Sequence, residues 1–207
     1  MMISKGVLNR VVLVSGLICL VSGILVPTVL DILDPGYAAR EQYLSELGAD
    51  GATYAGIANW LGFLPVGVTS AIMMVFLAIR LKGPALKAGS VLMLGVSVGY
   101  LGAFMFHCDA GCPAEGSFKQ SMHNLAGLIE YLTALVGLPL IGIGLALKKS
   151  RVRMLLTAGT FVIFVTAVVL LFNAGYGEPI GVWQRMADYA LFVWMFLICY
   201  FTVTYAD

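Results

Sequence analysis

Reactive side chains concentrate in one short stretch near the middle of the chain. It reads His107-Cys108-Asp109-Ala110-Gly111-Cys112-Pro113, and His123 follows ten residues later. Two nearby cysteines outside the cytoplasm most often form a disulfide. Only three residues separate Cys108 from Cys112, and Gly111 and Pro113 can bend the chain between and after them. We therefore predict a Cys108–Cys112 disulfide.

The alternative for the same residues is a metal site. Cysteine, histidine and carboxylate ligands suit zinc, and Cys108, Cys112 and His123 with His107 or Asp109 would supply four of them. A single Cys-x3-Cys spacing is a weak signal for such a site, and thiolates outside the cytoplasm would have to resist oxidation. The two histidines also allow a haem, but no haem attachment motif accompanies them.

Glu130 is the most informative single residue of the sequence. It lies seven positions after His123, so both occupy one face of a helix, with Glu130 roughly 10 Å deeper. An ionisable group inside a membrane is costly and by default marks a function. We predict that Glu130 is either neutral or paired with an arginine such as Arg185, a pairing that could also be purely structural. Asn59 and Arg185 approach the same layer from other segments, which predicts a shared binding pocket.

The elements that position these residues follow from composition. The chain has 207 residues, 60% of them hydrophobic and 11% charged, with a mean hydropathy of +0.96. Soluble domains carry charge on about a quarter of their residues, so the sequence predicts one integral membrane domain over residues 1–207. A spanning helix needs ~20 apolar residues. Six segments meet this length: Val11–Leu33, Tyr54–Ile79, Ala88–Phe106, Ser121–Leu147, Val152–Phe172 and Val182–Tyr205. They lack the alternation of barrel strands, so the fold class is an all-α bundle of six transmembrane helices.

The distribution of basic residues predicts the orientation. Nine of the twelve lysines and arginines lie before the first segment or in the connections after the second and fourth; the other three are Arg40, Lys119 and Arg185. The positive-inside rule then places both termini in the cytoplasm of a cell with an inner, or cytoplasmic, membrane. Most acidic residues and both histidines lie toward the opposite face. A net charge of +1 gives no reason to expect nucleic acid as a partner.

The first outer connection predicts a short amphipathic helix over Ala38–Leu47, ended by Gly48. Tyr43, Leu44 and Leu47 would form its apolar side. The helix is then either a structural lid with solvated charges or a cover beneath which Ser45 and Glu46 face a cavity. In the third segment, the small-residue spacing of Gly95 and Gly99 favours close helix packing within one chain over packing between two copies.

Over nearly its whole length the chain resembles the bacterial and archaeal membrane family known as domain of unknown function 998. The motifs that carry the resemblance are Pro35-Gly36-Tyr37, Tyr43-Leu44-Ser45-Glu46-Leu47-Gly48, Asn59, Cys108-Asp109-Ala110-Gly111-Cys112-Pro113, His123-Asn124-Leu125-Ala126-Gly127 and Gln184-Arg185. The resemblance implies a single six-helix domain and no particular activity. The chain is more loosely similar to membrane hydrolases related to alkaline ceramidases, but it lacks their seventh helix and their final paired histidines.

Two hypotheses from different classes follow. The favoured one is a non-catalytic membrane protein that binds a lipid or small molecule, or serves as a subunit or partner of a membrane assembly. Its binding residues would be Glu46, Asn59, His107, Asp109, His123, Glu130 and Arg185. The alternative is a metal-dependent hydrolase of a lipid or lipid-linked substrate, with zinc as the candidate metal. His123, Glu130 and Asp109 are its catalytic candidates, and Glu130 would be the general base. A transporter is the third hypothesis. Transport would need polar residues through the full depth of the membrane, and the cytoplasmic half here is almost entirely apolar.

Overall fold

The computed structural model describes residues 4–174 and 178–205. This part of the chain contains six helices that are long and apolar enough to cross a membrane. They are α1 (Lys5–Leu33), α2 (Ala55–Arg80), α3 (Pro84–Met105), α4 (Phe118–Leu147), α5 (Arg151–Asn173) and α6 (Ile180–Thr204). The all-α prediction of six transmembrane helices is confirmed, with the observed helices starting up to a few residues before or after the predicted segments.

Two of the helices contain a turn of π-helix. The turns are Val21–Leu25 in α1 and Ala58–Phe63 in α2, and they pack against each other. A proline follows each turn, Pro27 in α1 and Pro65 in α2. Proline has no N–H and crowds the carbonyl four residues before it, so the local hydrogen bonding shifts to the wider π pattern. In α2 this turn carries Asn59 and Phe63 toward the interior.

The six helices pack in sequence order around a ring. Each helix contacts the next along the chain, α6 returns to contact α1, and α2 also contacts α6. Small residues bring α3 close to α4, as the sequence predicts for packing within one chain. A Cβ atom at Gly99 would lie only 2.7 Å from Cβ of Glu130, and one at Gly95 only 2.8 Å from Cβ of Thr133. The side chain of Glu130 therefore occupies space that only a glycine leaves open.

The connections after α1 and α3 and the start of α6 meet at one end of the bundle, which we call the acidic end. The Asp50 N–H donates to the Cys108 carbonyl at 2.9 Å, which joins the first of these connections to the second. The Gly181 N–H donates to the Arg40 carbonyl at 3.1 Å, which joins the first connection to the start of α6. The side of the membrane on which the acidic end lies stays a prediction.

The first connection folds differently from the predicted helix over Ala38–Leu47. Only Leu44–Gly48 is helical, as a short 3₁₀ helix, and it ends at the expected glycine. The predicted first half is wrong because the carbonyls that a helix would use are engaged elsewhere. Those of Ala39 and Gln42 accept from Arg185 at 2.7 and 3.2 Å, and that of Arg40 accepts from Gly181.

Candidate ligand-binding cavity

A small cavity of about 60 Å³ lies near the acidic end, inside the ring of helices. Side chains from α2, α3, α4 and α6 line it, and the 3₁₀ helix of the first connection forms its cover. The lining residues are Leu44, Ser45, Phe63, Gly99, Tyr100, Ala103, His123, Gly127, Glu130, Tyr131, Gln184 and Asp188. Two carboxyl groups, two phenols and one imidazole therefore meet in one small space between membrane helices.

Asp188 is the hydrogen-bonded carboxyl group of this cavity. It lies two turns into α6 and is 2% exposed. Its Oδ2 accepts from the Tyr100 hydroxyl at 2.9 Å, and its Oδ1 accepts from the Tyr131 hydroxyl at 3.2 Å. Each carboxyl oxygen thus has a donor from a different helix, so Asp188 ties α6 to both α3 and α4.

Glu130 is the unpartnered carboxyl group. It is 5% exposed, and its Oε1 is buried without any hydrogen-bond partner in the described residues. No lysine, arginine or histidine of residues 4–174 and 178–205 lies within ion-pair distance of it. The pairing of Glu130 with Arg185 that the sequence suggested is therefore wrong. A buried carboxyl group with no cation beside it must either be neutral or take its cation from a ligand.

Arg185 instead fastens the first connection to the start of α6. Its Nη1 donates to the carbonyls of Ala39, Gln42 and Gly181 at 2.7, 3.2 and 3.0 Å. Its Nη2 donates to the Tyr37 hydroxyl, over whose ring the guanidinium lies at 5.5 Å. Burial raises the pKa of Tyr37 to about 12, and the Arg185 charge opposes that rise. Tyr37 is therefore a neutral phenol. Its hydroxyl accepts from Arg185 and donates to the Tyr43 carbonyl at 2.9 Å.

Two amide side chains hold the cover itself. Gln184 accepts the Leu44 N–H through Oε1 at 2.6 Å, and Asn59 donates to the Gly48 carbonyl at 2.9 Å. These contacts reach the first and last residues of the 3₁₀ helix. The cover is thereby hydrogen-bonded at both ends to membrane helices, although Oδ1 of the buried Asn59 has no partner in the described residues.

His123 lies at the wall of the cavity on the first turns of α4. Its Nδ1 lies 3.0 Å from the Phe106 carbonyl oxygen. A carbonyl can only accept, so Nδ1 carries the proton and Nε2 of a neutral ring is left as an acceptor. A histidine oriented in this way by a carbonyl is the usual arrangement of a metal ligand, and equally of a ligand-binding acceptor.

The predicted disulfide is present: Cys108 and Cys112 are bonded, with their Cα atoms 5.0 Å apart. Gly111 has φ +78°, a left-handed conformation that glycine adopts without a steric cost, and it turns the chain between them. The Ser45 hydroxyl lies 3.4 Å from the Cys112 sulfur, so the disulfide packs against the cover. The two sulfurs and one nitrogen of His123 lie within 4.8 Å of one another, a spacing that could hold a metal ion if the disulfide were reduced.

Comparison with known proteins places this arrangement in a family. Residues 13–200 match the family described as protein of unknown function (DUF998). The chain belongs to the DUF998 family. The match includes every residue that lines the cavity, as well as the disulfide and Arg185. No curated protein and no solved structure matches the chain.

Of the seven predicted binding residues of this DUF998 protein, only His123 and Glu130 line the cavity. Asn59 and Arg185 hold the first connection instead, and the other three lie elsewhere at the acidic end. Glu46 caps the 3₁₀ helix by accepting the Tyr43 N–H at 2.8 Å, and it lines a separate surface recess. The His107 ring lies 3.8 Å from Asp50 at the surface. Asp109 accepts from the backbone N–H and hydroxyl of Ser117 at 2.8 and 2.7 Å, before the start of α4. The first of these two hydrogen bonds is the main cause of the lowered pKa of Asp109.

The structure adds residues to the DUF998 site that the sequence analysis missed. Asp188, Tyr100 and Tyr131 form the hydrogen-bonded half of the cavity, yet they were not among the predicted binding residues. The sequence could have indicated Asp188 as a site residue, because it lies four residues after Gln184 and within the predicted sixth segment. Residues four apart share a helix face, so the resemblance motif at Gln184 pointed to Asp188.

Proposed function

We propose that the protein is a membrane-embedded binding protein that holds a positively charged, hydrogen-bond-donating group of a lipid or small molecule in its cavity. The observation that carries this proposal is the unpartnered Oε1 of buried Glu130 beside a second carboxyl group, Asp188. Leaving a buried acceptor without a donor costs ~1–3 kcal/mol. A bound donor would recover that free energy, and its positive charge would balance the carboxylate.

The size of the cavity narrows the class of ligand. A volume of about 60 Å³ leaves room for a few water-sized groups and not for a whole lipid. A primary ammonium group is small and has three N–H donors, which suit the free acceptors of Glu130 and the Nε2 of His123. A quaternary ammonium group has no N–H donor and carries three methyl groups. The cavity should therefore prefer the ammonium end of an aminolipid, or a free primary amine, over a choline headgroup.

Native mass spectrometry of the purified protein tests this proposal. The probes are phosphatidylethanolamine, phosphatidylcholine and free ethanolamine, each added to protein released from detergent. We expect an affinity for phosphatidylethanolamine about tenfold above that for phosphatidylcholine, the effect of one charge-assisted hydrogen bond. Glu130→Met removes the free acceptors at similar side-chain length and should abolish the preference. Ethanolamine competition separates the two sources, because only a site for the amine itself is blocked by the free headgroup.

A matched control is available at the same end of the molecule. Glu115 is an exposed carboxylate in the second connection, away from the cavity lining. Glu115→Gln removes the same formal charge and should leave the preference unchanged. Equal binding of both lipids by the parent protein, or equal loss of preference in the two variants, would reject the proposal.

A second candidate function is supported by the disulfide region. After reduction, Cys108, Cys112 and His123 would offer three ligands within one small space, and zinc accepts this ligand set. Zinc would supply a bound water of lowered pKa for hydrolysis of a lipid or lipid-linked substrate. Glu130 lines the adjoining cavity and would be the general base. Metal analysis combined with counting of free thiols separates the candidates: bound zinc with two free thiols favours the hydrolase, and an intact disulfide without zinc favours the binding protein.

For localisation we propose the inner, or cytoplasmic, membrane, with both termini in the cytoplasm. The excess of lysine and arginine in the connections opposite the acidic end supports this orientation. It places the cavity and the disulfide on the oxidising side of the membrane. A ligand or partner subunit would then reach the cavity from the non-cytoplasmic side of the membrane.

A further inference from the structure

A long apolar groove runs along the outer surface of the bundle between α5 and α6. Its volume is about 870 Å³, within the ~300–1,000 Å³ range of ligand pockets. Leu155, Gly159 and Ile163 line it from α5, and Val182, Met186 and Val193 line it from α6. These residues of α6 lie on a different face from Gln184 and Asp188, so the groove shares no residue with the cavity.

Gly159 gives the groove its depth. A Cβ atom at this position would meet nothing within 4 Å, so the absence of a side chain is not required by packing against a neighbouring helix. Leu155 and Ile163 lie one turn before and one turn after it on the same face of α5. Because Gly159 has no side chain, a channel between Leu155 and Ile163 is open to the surrounding hydrocarbon.

The α6 side of the groove has the length of one leaflet of a bilayer, and its α5 side continues to Gly159, fourteen residues or roughly 21 Å from the acidic end of α5. Val182 and Val193 are eleven residues apart, which corresponds to roughly 16 Å along a helix. The hydrocarbon core of a bilayer is ~30 Å thick. The part of the groove along α6 therefore extends from the acidic end to about the middle of the membrane, the depth that one acyl chain reaches.

A free cation lies at the mouth of this groove. Arg40 is exposed, belongs to the first connection just outside the helices, and lines the groove. Its side chain has no hydrogen bond and no ion pair within residues 4–174 and 178–205. The other two cations of the acidic end are engaged, Lys119 with Asp50 and Arg185 with backbone carbonyls. Arg40 is thus placed at headgroup depth with its charge available to a ligand.

We infer that the α5–α6 groove binds one anionic phospholipid, with an acyl chain along Gly159 and the phosphate at Arg40. Arginine forms paired hydrogen bonds with phosphate oxygens, and an apolar groove inside the membrane is already in contact with lipid chains. The anionic headgroup distinguishes this occupant from a second copy of the chain. The site is independent of the cavity and its proposed amine ligand.

Native mass spectrometry with phosphatidylglycerol and phosphatidylcholine tests the inference on the full-length protein. We expect the parent protein to retain phosphatidylglycerol in preference to phosphatidylcholine. Arg40→Gln should reduce that preference roughly fivefold, the effect of losing a charge-assisted hydrogen bond at an exposed position. Lys119→Gln is the control, because it removes a partly exposed cation of the same end that lies away from the groove.

A second pair of variants tests the apolar part of the groove. Gly159→Leu puts an apolar side chain into the channel, and its Cβ atom meets no neighbour within 4 Å. It should therefore lower retention of both lipids while leaving the thermal midpoint close to that of the parent. Gly56→Leu is its control, since Gly56 is another exposed helix glycine with open space around it. Equal phosphatidylglycerol preference in the Arg40 and Lys119 variants would overturn the inference. So would a dimer of the parent protein that Gly159→Leu dissociates, because the occupant would then be a second copy.

Discussion

Replacing either of the two carboxyl groups of the cavity by an apolar residue should change the stability of the ligand-free protein in opposite directions. The side chain of Glu130 makes no hydrogen bond within the part of the chain that the structure describes, whereas that of Asp188 accepts two. Glu130→Met removes a buried acceptor that has no donor, at similar side-chain length, and should recover about 2 kcal/mol of a penalty of ~1–3 kcal/mol. Asp188→Leu leaves the hydroxyls of Tyr100 and Tyr131 without an acceptor and should cost about 4 kcal/mol, roughly 2 for each hydroxyl.

Thermal unfolding of protein stripped of bound amines and lipids measures both effects. For chains of 150–250 residues, 1 kcal/mol shifts the midpoint by ~2–4 °C. Glu130→Met should therefore raise the midpoint by about 4–8 °C and Asp188→Leu should lower it by about 8–16 °C. Asp188→Asn is the conservative control, because its amide offers one acceptor and two donors to the two phenols. It should lose less than half as much as the leucine variant.

The reasoning is refuted if ligand-free Glu130→Met melts below the parent protein. Glu130 would then make a stabilising contact in the empty cavity, and its free acceptors could not be the reason for ligand binding. A gain in stability together with loss of the phosphatidylethanolamine preference is the combination we expect, because a site kept polar for a ligand reduces the stability of the empty protein.

Three further predictions concern the rest of the acidic end. Arg185→Gln should lower the free energy of unfolding by about 3 kcal/mol through loss of charge-assisted hydrogen bonds to backbone carbonyls, and limited proteolysis should then cleave the first connection faster than in the parent. The pKa of Asp109 is lowered in the folded protein, so its contribution to stability is present above about pH 4 and is lost as the pH falls through the folded-state pKa. The thermal midpoint of Asp109→Asn should therefore fall less steeply at acid pH than that of the parent. Parallel curves of midpoint against pH would contradict this. Reporter fusions after Lys82 should behave as cytoplasmic and those near Gly116 as external, and a cytoplasmic signal from Gly116 would overturn the orientation.

The membrane helices could be predicted from the sequence because hydrocarbon leaves few alternatives. A uniformly apolar segment of spanning length has to satisfy its own backbone groups, and a helix does so. Close packing of α3 within the chain could be predicted too, because small residues at the spacing of Gly95 and Gly99 form a continuous strip on one helix face; that its partner is α4 could not. The disulfide followed from short spacing and a turn-forming glycine. In each case the information lies within one segment or one connection.

The partners within the cavity could not be predicted, because they depend on how each helix is rotated about its axis. Successive residues of a helix turn by about 100°, so Gln184 and Arg185 cannot both face the interior. The structure turns Gln184 toward the cover and the cavity and leaves Arg185 to the side, where it binds the first connection. Asp188, one turn after Gln184, therefore becomes the neighbour of Glu130 in place of Arg185. Tyr100 and Tyr131 lie within apolar runs, where an aromatic residue by default indicates packing.

The start of α6 links the cover to the cavity through three residues on adjacent turns. Gln184 and Arg185 hold the first connection by its backbone, and Asp188 holds the phenols that line the cavity. A ligand that draws Glu130 and Asp188 together would act on the same helical turns that fasten the cover. A displacement of the first connection would in turn move Asp188 relative to Tyr100 and Tyr131. Because linkage is reciprocal, any variant that loosens the cover should weaken amine binding by the same free energy by which the amine tightens the cover.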